Sequence, residues 1–253
     1  MRLLFIVPYF GEHKYPFLEK LLPSLGVEYP GKDALAAASE MVIPFTYGDI
    51  FLRNNNVENI GFTKACNRGM RYALKHDHDA IWLGNDDLEF PDFPAAVKML
   101  EEELQTHPKT GVVGCKICYT DEPDFIYHGG TTRAYPTGLH KWGHVSKGDL
   151  NERTLERWVA GGCMIVTRRL AQEIGVLDEG FFNIASDSDY CYRARAAGFD
   201  VVYLPLTVLH PRGSMTQQPS AELMEKFSKD IKHFEDKWMT GTLFRRLDEE
   251  PLE

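Results

Sequence analysis

Short apolar runs alternate along the chain with segments in which apolar residues recur every three or four positions. Runs of four or five apolar residues bounded by turn residues are typical of buried strands, and the recurring spacing is typical of helices that pack by one face. The predicted strands are residues 3–7, 41–45, 50–53, 80–83, 112–115, 163–167 and 201–204. Their alternation with helical patterns predicts an α/β fold, with a mostly parallel central sheet and helices on both faces.

Four segments show the helical spacing most clearly. Their apolar stripes begin at Phe17, Phe62, Phe93 and Tyr190. The last stripe ends at Gly198, a residue type that commonly follows a helix C-terminus. Beyond the final strand, residues 221–238 also have a helical pattern, and the acidic residues from Asp248 onward predict a frayed tail. We therefore expect a single domain over residues 1–215, followed by a helical extension over 216–253.

Composition narrows the class of protein. The chain has 253 residues, of which 43% are apolar, and a net charge of −9. This acidic balance argues against a broad nucleic-acid-binding surface. No apolar run approaches the roughly 18 residues of a membrane span, and the N-terminal run is too short for a signal peptide. We therefore expect a cytoplasmic protein that binds no nucleic acid, and peripheral association with a membrane is left open.

Polar residues follow the predicted strand over residues 80–83. Asn85, Asp86 and Asp87 come directly after it, at the carboxyl edge where ligands of open α/β sheets bind. Carboxylates at such an edge are suitable ligands for Mg²⁺ or Mn²⁺. The same residue types also end strands as ordinary turns, so a metal site and a plain turn both remain open.

A second polar cluster surrounds the start of the helix near Phe62. Asn59 and Gly61 precede it, and Gly61 would let a ligand approach the backbone closely. Asn67 is expected on the polar face of this helix, away from the apolar stripe. The alternative is a capped amphipathic helix whose polar face is solvated.

The third cluster lies at the start of the helix that carries Tyr190. Ser186 and Asp189 fit a capping box, whereas Asp187 is a candidate general base. Further on, His210 follows the last predicted strand and could bind a metal through an imidazole nitrogen. A polar loop residue is the alternative for His210.

Together these segments resemble glycosyltransferase family 2, whose members have the GT-A fold. The matching residues are Glu58, Asn59, Gly61, Phe62, Asn67 and Gly69, then residues 84–90, residues 160–169, Asp187, Asp189, Cys191, Arg193 and His210. The resemblance covers roughly residues 3–214. Within the family, the chain is most similar to bacterial rhamnosyltransferases of surface-polysaccharide synthesis.

The resemblance implies a role for each matching residue. Asp187 would be the catalytic base, Asp87 would bind Mn²⁺ or Mg²⁺, and His210 would complete the binding of the metal or the diphosphate. The residues that would contact the nucleotide sugar are Pro8, Tyr9, Phe10, Asn59, Gly61, Phe62, Asn67, Asn85, Asp86 and Gly162. The chain departs from the family at residues 45–49, which replace an Asp-rich motif, and at Ser186, which replaces a Glu.

The sequence thus predicts an inverting glycosyltransferase that moves a sugar from a UDP- or dTDP-sugar to a hydroxyl of a glycan or other acceptor. The segment 121–149 is expected to contribute to the acceptor side through His128, Tyr135, His140 and Trp142. A nucleotidyltransferase is one alternative, although no Gly-rich basic loop follows the first strand. A non-catalytic protein that binds sugar nucleotides or glycans is another, which Ser186 leaves open.

Overall fold

A computed structural model of the chain describes residues 1–131, 143–144, 150–212, 220–249 and 252. Its strands are β1 Leu3–Tyr9, β2 Glu40–Phe45, β3 Gly48–Asn54, β4 Ala80–Gly84, β5 Thr110–Tyr119, β6 Phe125–His128, β7 Gly143–His144, β8 Thr154–Leu155, β9 Cys163–Thr167 and β10 Asp200–His210. Its helices are α1 Tyr15–Ser24, α2 Lys32–Ala37, α3 Gly61–Lys75, α4 Phe93–Thr106, α5 Arg168–Ile174, α6 Ser186–Ala196, α7 Ala221–Phe234 and α8 Thr242–Glu249. A 3₁₀ turn, Glu12–Lys14, precedes α1, and a π-helical turn, Glu235–Met239, follows α7.

The strands form one sheet with the order β2-β3-β1-β4-β9-β5-β10-β8. β1 pairs in parallel with β3 and β4, and β10 pairs in parallel with β5. Because β9 is antiparallel to both β4 and β5, those two strands point the same way. Five of the eight strands in this path therefore share one direction, which confirms the predicted α/β fold with its mostly parallel sheet.

Two apolar cores lie on opposite faces of the sheet. The strand β1 is buried along its whole length because its side chains alternate between the two cores. Leu3 and Phe5 pack on the side of α1 and α4, whereas Leu4 and Ile6 pack on the side of α3, α5 and α6. The carboxyl ends of β1, β3, β4 and β10 consequently meet at one edge of the sheet.

β10 is longer than the sequence pattern predicts. The apolar run ends at Leu204, before Pro205, but the strand continues to His210. Its pairing with β5 shifts register between Tyr203 and Thr207, which accommodates the proline, a residue without a backbone N–H. His210 is therefore the last residue of a strand rather than a residue of a loop.

The C-terminal helices pack on α6 through a third apolar cluster. Its members are Phe181, Ala185, Tyr192, Phe234, Trp238, Phe244 and Leu247. We expected a frayed tail from Asp248, but Asp248 belongs to α8 and accepts a hydrogen bond from the hydroxyl of Tyr192 at 3.1 Å. The expected boundary after residue 215 lies outside the described residues. No helix in the described ranges has the length and apolarity that a membrane span requires.

Candidate active site

A cavity of about 1000 Å³ opens at the carboxyl edge of the parallel strands. Twelve of the thirteen predicted site residues line it: Pro8, Tyr9, Phe10, Asn59, Gly61, Phe62, Asn85, Asp86, Asp87, Gly162, Asp187 and His210. They come from the ends of β1, β4 and β10, the starts of α3 and α6, and the residue before β9. The fold thus gathers segments that are far apart in the sequence around one space.

Asn67 does not reach this cavity. Its side chain is fully buried, its Nδ2 donates to the carbonyl of Leu177 at 2.8 Å, and its Oδ1 accepts from the N–H of Leu177 at 2.9 Å. These two hydrogen bonds join α3 to the segment before α6. The prediction that Asn67 lies on a solvated or ligand-facing surface is therefore wrong, because both polar atoms of its amide bond to the buried backbone of Leu177.

Gly61 is required for a different reason from the one expected. Its φ is +80°, and a Cβ there would lie 2.5 Å from the carbonyl oxygen of Phe182. The N–H of Thr63 donates to the same carbonyl at 3.3 Å, and Asn59 Oδ1 accepts from the N–H of Gly61 at 3.1 Å. The backbone that approaches Gly61 closely therefore belongs to the protein itself, although Gly61 also borders the cavity.

The acidic turn, residues 85–87, follows β4 and holds a lysine from a distant segment. Lys14 Nζ lies 2.9 Å from Asp86 Oδ1 and 2.9 Å from Asp87 Oδ2. On the other side, His210 Nε2 lies 3.2 Å from Asp87 Oδ1 and 3.5 Å from Asn85 Nδ2. Lys14, the acidic turn and His210 thus form one buried polar cluster at the bottom of the cavity.

Burial and neighbouring positive charge shift the pKa values of the two aspartates in this cluster in opposite directions. Burial raises the pKa of Asp86 to about 7, and the Lys14 ammonium offsets only part of that effect. Burial also opposes ionisation of Asp87, but interaction with His210 and Lys14 lowers its pKa to about 2. Burial therefore opposes ionisation of both carboxyl groups, whereas Lys14 favours it in both and His210 favours it in Asp87.

The chemistry of this cluster suits a divalent cation, but its arrangement does not form a complete metal site. Within the described residues, no three His, Cys, Asp or Glu side chains are grouped so that they could hold a metal ion, and Lys14 contacts both carboxylates. Asp87 Oδ1 is buried and has no assigned hydrogen-bond partner within the described part of the chain, although His210 Nε2 lies 3.2 Å away. A buried acceptor without a hydrogen bond is unfavourable unless something else meets it. Carboxylate oxygens with one imidazole nitrogen are suitable ligands for Mn²⁺.

Asp187 also lines the cavity and lies in the first turn of α6. Its Oδ2 accepts from the N–H of Gly161 at 2.7 Å, and its Oδ1 accepts from the N–H of Ser188 at 2.8 Å. A Cβ on Gly161 would lie 2.8 Å from the Cβ of Asp187. A Cβ on Gly162 would lie 2.9 Å from Asn85 Nδ2. The two glycines therefore let the acidic turn and Asp187 approach the same short segment of backbone.

The start of α6 does not contain the predicted capping box. The residue that caps the helix is Ala185, which has a left-handed backbone with φ of +63° and makes no side-chain cap. Asp189 is instead fully buried, where it accepts from Arg193 Nε and from Trp238 Nε1, both at 2.9 Å. Asp189 thus pairs with Arg193 one helical turn later, and of the two carboxylates only Asp187 lines the cavity.

Several residues around the cavity were not anticipated from the sequence. They include Lys14, Phe17, Asn55, Tyr127, Trp158, Leu223 and Lys226. Asn55 follows β3, which is the strand that lies beside β1, whereas β2 lies at the edge of the sheet. The antiparallel pairing of β2 with β3 identifies β2 as an edge strand, and this signal was available in the short turn that joins them.

The segment expected on the acceptor side is described only in part. Tyr127 borders the cavity, whereas His128 is buried and its Nε2 accepts from the N–H of Ala160 at 3.3 Å. Tyr135, His140 and Trp142 lie outside the described residues.

Comparison with known proteins adds a fold relationship. No protein-family model matches the chain. The uncharacterized protein y4gI of Sinorhizobium fredii (strain NBRC 101917 / NGR234) is 27% identical over 175 residues, which cover 64% of this chain and 18% of that protein. The chain therefore spans less than a fifth of the length of this curated relative.

Two solved structures share the architecture. GalNAc-T7 with UDP, GalNAc and Mn²⁺ superimposes with a TM-score of 0.60 and 14% identity, over 94% of this chain and 49% of that one. The mannosyltransferase PcManGT from Pyrobaculum calidifontis, in complex with GDP-Man and Mn²⁺, gives a TM-score of 0.52 and 16% identity, over 91% and 64% of the two chains. The chain has the GT-A fold of these glycosyltransferases.

Proposed function

We propose that this chain is an inverting glycosyltransferase that moves a sugar from a nucleoside-diphosphate sugar to a hydroxyl group of a glycan or other acceptor. The observation that carries the proposal is that two polar sites line one cavity. The acidic turn with His210 is one of them and Asp187 is the other, and Asn85 and Asp187 both approach the Gly161–Gly162 segment. Both GT-A structures named above contain a nucleotide or nucleotide sugar together with Mn²⁺, which supports the same class of ligand here.

The acidic turn would hold the diphosphate end of the donor. Asp86, Asp87 and His210 would bind Mn²⁺ or Mg²⁺, and Asn85 would face the sugar or the ribose. When bound, such an ion would stabilise the negative charge on the departing nucleoside diphosphate.

The nucleotide base would lie near the ends of β1 and β3. Pro8, Tyr9 and Phe10 border this part of the cavity, and the ring of Phe10 is exposed. Asn55 is 95% buried, and its Oδ1 has no hydrogen bond within the described residues. An acceptor oxygen at this place would suit the imide N–H of uracil or thymine, which supports a UDP- or dTDP-sugar as the donor.

Asp187 would accept the proton of the acceptor hydroxyl. As the proton moves to the carboxylate, the hydroxyl oxygen attacks the anomeric carbon and the bond to the diphosphate oxygen breaks on the opposite face, which inverts the configuration. The hydrogen bonds from Gly161 and Ser188 orient the carboxylate toward the cavity. A fixed orientation lowers the activation free energy of transfer, because the base does not have to be ordered when the reaction occurs.

Aromatic side chains indicate where an acceptor sugar could lie. Tyr127 and Trp158 border the cavity beside Asp187, and the Tyr127 ring stacks on the His210 ring at 6.1 Å between centroids. On the far side, α7 contributes Leu223 and Lys226, and Lys226 Nζ lies 4.4 Å from the centroid of the Phe182 ring. These groups support a glycan as acceptor, since aromatic faces and polar side chains together suit a sugar ring.

The proposal is tested by release of nucleoside diphosphate. The chain would first be screened by thermal unfolding with UDP-, dTDP-, GDP- and CMP-sugars and Mn²⁺. A donor at 100 times its Kd should raise the free energy of unfolding by about 2.7 kcal/mol. The stabilising donor would then be incubated with Mn²⁺, and free nucleoside diphosphate would be measured. Stabilisation without any release, even with glycan acceptors present, would instead identify a sugar-nucleotide-binding protein.

A further inference from the structure

Lys14 is held in the acidic turn by the loop that follows β1. Gly11, with φ of +98°, turns the chain, and the N–H of Lys14 donates to the Gly11 carbonyl at 3.1 Å. This turn returns the chain toward the sheet, so that the lysine side chain is only 11% exposed. Its ammonium contacts the oxygens of two carboxylates whose residues are 72 and 73 positions away in the sequence.

The position of this ammonium conflicts with that of a metal. A divalent cation bound by Asp86 and Asp87 would use the same carboxylate region that Lys14 now contacts. Two cations close together in a buried site repel each other strongly, because little solvent screens their charges. The lysine and the metal therefore cannot both occupy the acidic turn without a large loss of affinity.

The lysine also has a clear benefit when no metal is bound. Asp86 and Asp87 are adjacent and buried, and two uncompensated carboxylates at such a place would be costly. The ammonium neutralises one of these charges and donates hydrogen bonds. Lys14 also borders the cavity in which we propose that the donor binds.

We propose that Lys14 is a resident counter-cation that competes with a divalent metal for Asp86 and Asp87, and that it pairs with the donor diphosphate once the metal has taken those carboxylates. This inference rests on the proposed function for the identity of the anion. It makes metal binding weak without nucleotide and stronger with it, because the diphosphate gives the displaced ammonium a new partner. The two ligands are then thermodynamically coupled, each favouring the other.

The test is Mn²⁺ binding without any nucleotide, measured by the electron paramagnetic resonance signal of free Mn²⁺. Lys14→Met and Lys14→Gln should bind Mn²⁺ at least tenfold more tightly than the wild type. Lys14→Arg keeps the positive charge and should bind Mn²⁺ with the wild-type affinity. Lys32→Met is the matched control, because Lys32 is also paired with a carboxylate, Glu12 at 3.0 Å, but is exposed. It changes the net charge equally and should leave Mn²⁺ affinity unchanged.

A second measurement follows the coupling. Addition of UDP or dTDP should increase the Mn²⁺ affinity of the wild type by a larger factor than that of Lys14→Met. Thermal unfolding in the presence of chelator shows whether each variant is folded. If Lys14→Met is not folded, the comparison of Lys14→Gln with Lys14→Arg tests whether loss of the charge tightens Mn²⁺ binding.

The inference is overturned if the uncharged variants bind Mn²⁺ no more tightly than the wild type, or if Lys32→Met has the same effect. It is also overturned if neither the wild type nor the variants bind Mn²⁺. In that last case, release of nucleoside diphosphate in the presence of chelator would leave the glycosyltransferase proposal standing, so that the two failures are distinguishable.

Discussion

Two groups of buried or half-buried aspartates in this molecule differ in how their carboxylates are bonded. The first is the acidic turn, which borders the cavity. The second, here called the clamp, consists of Asp178, Asp189 and Asp230, which bind the C-terminal helical segment or are bound by it. In the clamp, lysine, tryptophan, histidine and backbone N–H groups meet the carboxylates.

The two groups differ in how many of their carboxylate oxygens accept hydrogen bonds from the protein. Asp230 is 99% buried, and its two oxygens accept three backbone N–H groups, from Phe182, Asn183 and Ile184, at 2.6 to 2.9 Å. Asp87 is also buried, but one of its oxygens lacks a hydrogen bond within the described residues and faces a cavity. A carboxylate whose oxygens all accept hydrogen bonds stabilises the fold. A carboxylate at a cavity with an oxygen that accepts none is available to a ligand.

The two groups are nevertheless connected. The loop that Asp230 holds, residues 182–184, leads directly to Ala185 and Asp187 and also approaches Gly61. The clamp therefore supports the loop that places the candidate base. Its role is one of positioning, since Asp230 does not border the cavity.

The largest expected effect is the loss of transfer on replacement of Asp187, and replacement of the neighbouring Asp189 is the comparison. Asp187→Asn removes the proton acceptor, so transfer should fall by roughly 10² to 10⁴ while donor affinity changes little. Asp189→Asn breaks a buried network and should lower the free energy of unfolding by about 1 to 3 kcal/mol. Steady-state transfer rates and chemical denaturation check both outcomes. A wild-type transfer rate in Asp187→Asn would show that the candidate base is misassigned.

The next effect tests whether the clamp supports the site. Asp230→Asn replaces a carboxylate that accepts three N–H groups by an amide with one acceptor oxygen, which leaves buried donors unsatisfied. The free energy of unfolding should fall by about 1 to 3 kcal/mol, and kcat should fall in the folded fraction because the loop before Asp187 loosens. Asp236→Asn is the control, since this exposed residue lies on the same segment and its carboxylate pairs, among the described residues, only with Lys232. If kcat is unchanged at full folding, the clamp is purely structural.

A smaller effect concerns the acidic turn. Asp87→Asn removes one charge from the candidate metal ligands, so the Mn²⁺ concentration that gives half-maximal activity should rise at least tenfold, or about 1.4 kcal/mol. Asp236→Asn, with the same change of charge, should leave this concentration unaltered. Titration of activity with Mn²⁺ after removal of metal by chelator gives the measurement. An unchanged Mn²⁺ requirement in Asp87→Asn would argue against this residue as a ligand.

The smallest effect is the response of the clamp to acid. Although partial burial opposes it, hydrogen bonds from Lys237, the N–H of Gly180 and His233 hold the pKa of Asp178 well below its ordinary value. A lowered pKa contributes stability above the ordinary value, near 4, and that contribution is lost as the pH falls further. The protection factors of the α7 amides, which are exchange rates corrected for the intrinsic rate at each pH, should therefore fall below about pH 4. Asp178→Asn should show the lower protection already at neutral pH, and wild-type protection in this variant would contradict the assignment.

The sequence by itself determined the seven longer strands of the sheet and the location of most residues of the candidate site. Apolar runs and helical spacing are local properties, so the patterns over residues 3–7 and 163–167 and the stripe from Phe62 corresponded to real elements. Polar residues at strand ends reach one edge whenever the strands are parallel, which is why Asn85 and Asp87 could be placed at the cavity. The short elements α2, α5, β6 and β8 lack enough residues to show a period, and they were not predicted.

Only the tertiary structure decided which polar residues line the cavity and which bond to other parts of the protein. Asn67 bonds to Leu177, 110 residues away, and Lys14 bonds to Asp87, 73 residues away. Neither partner can be identified from the spacing along the chain. A side chain's chemistry depends on how much of its bonding capacity its neighbours satisfy, and those neighbours are brought together only when the sheet and its helices assemble.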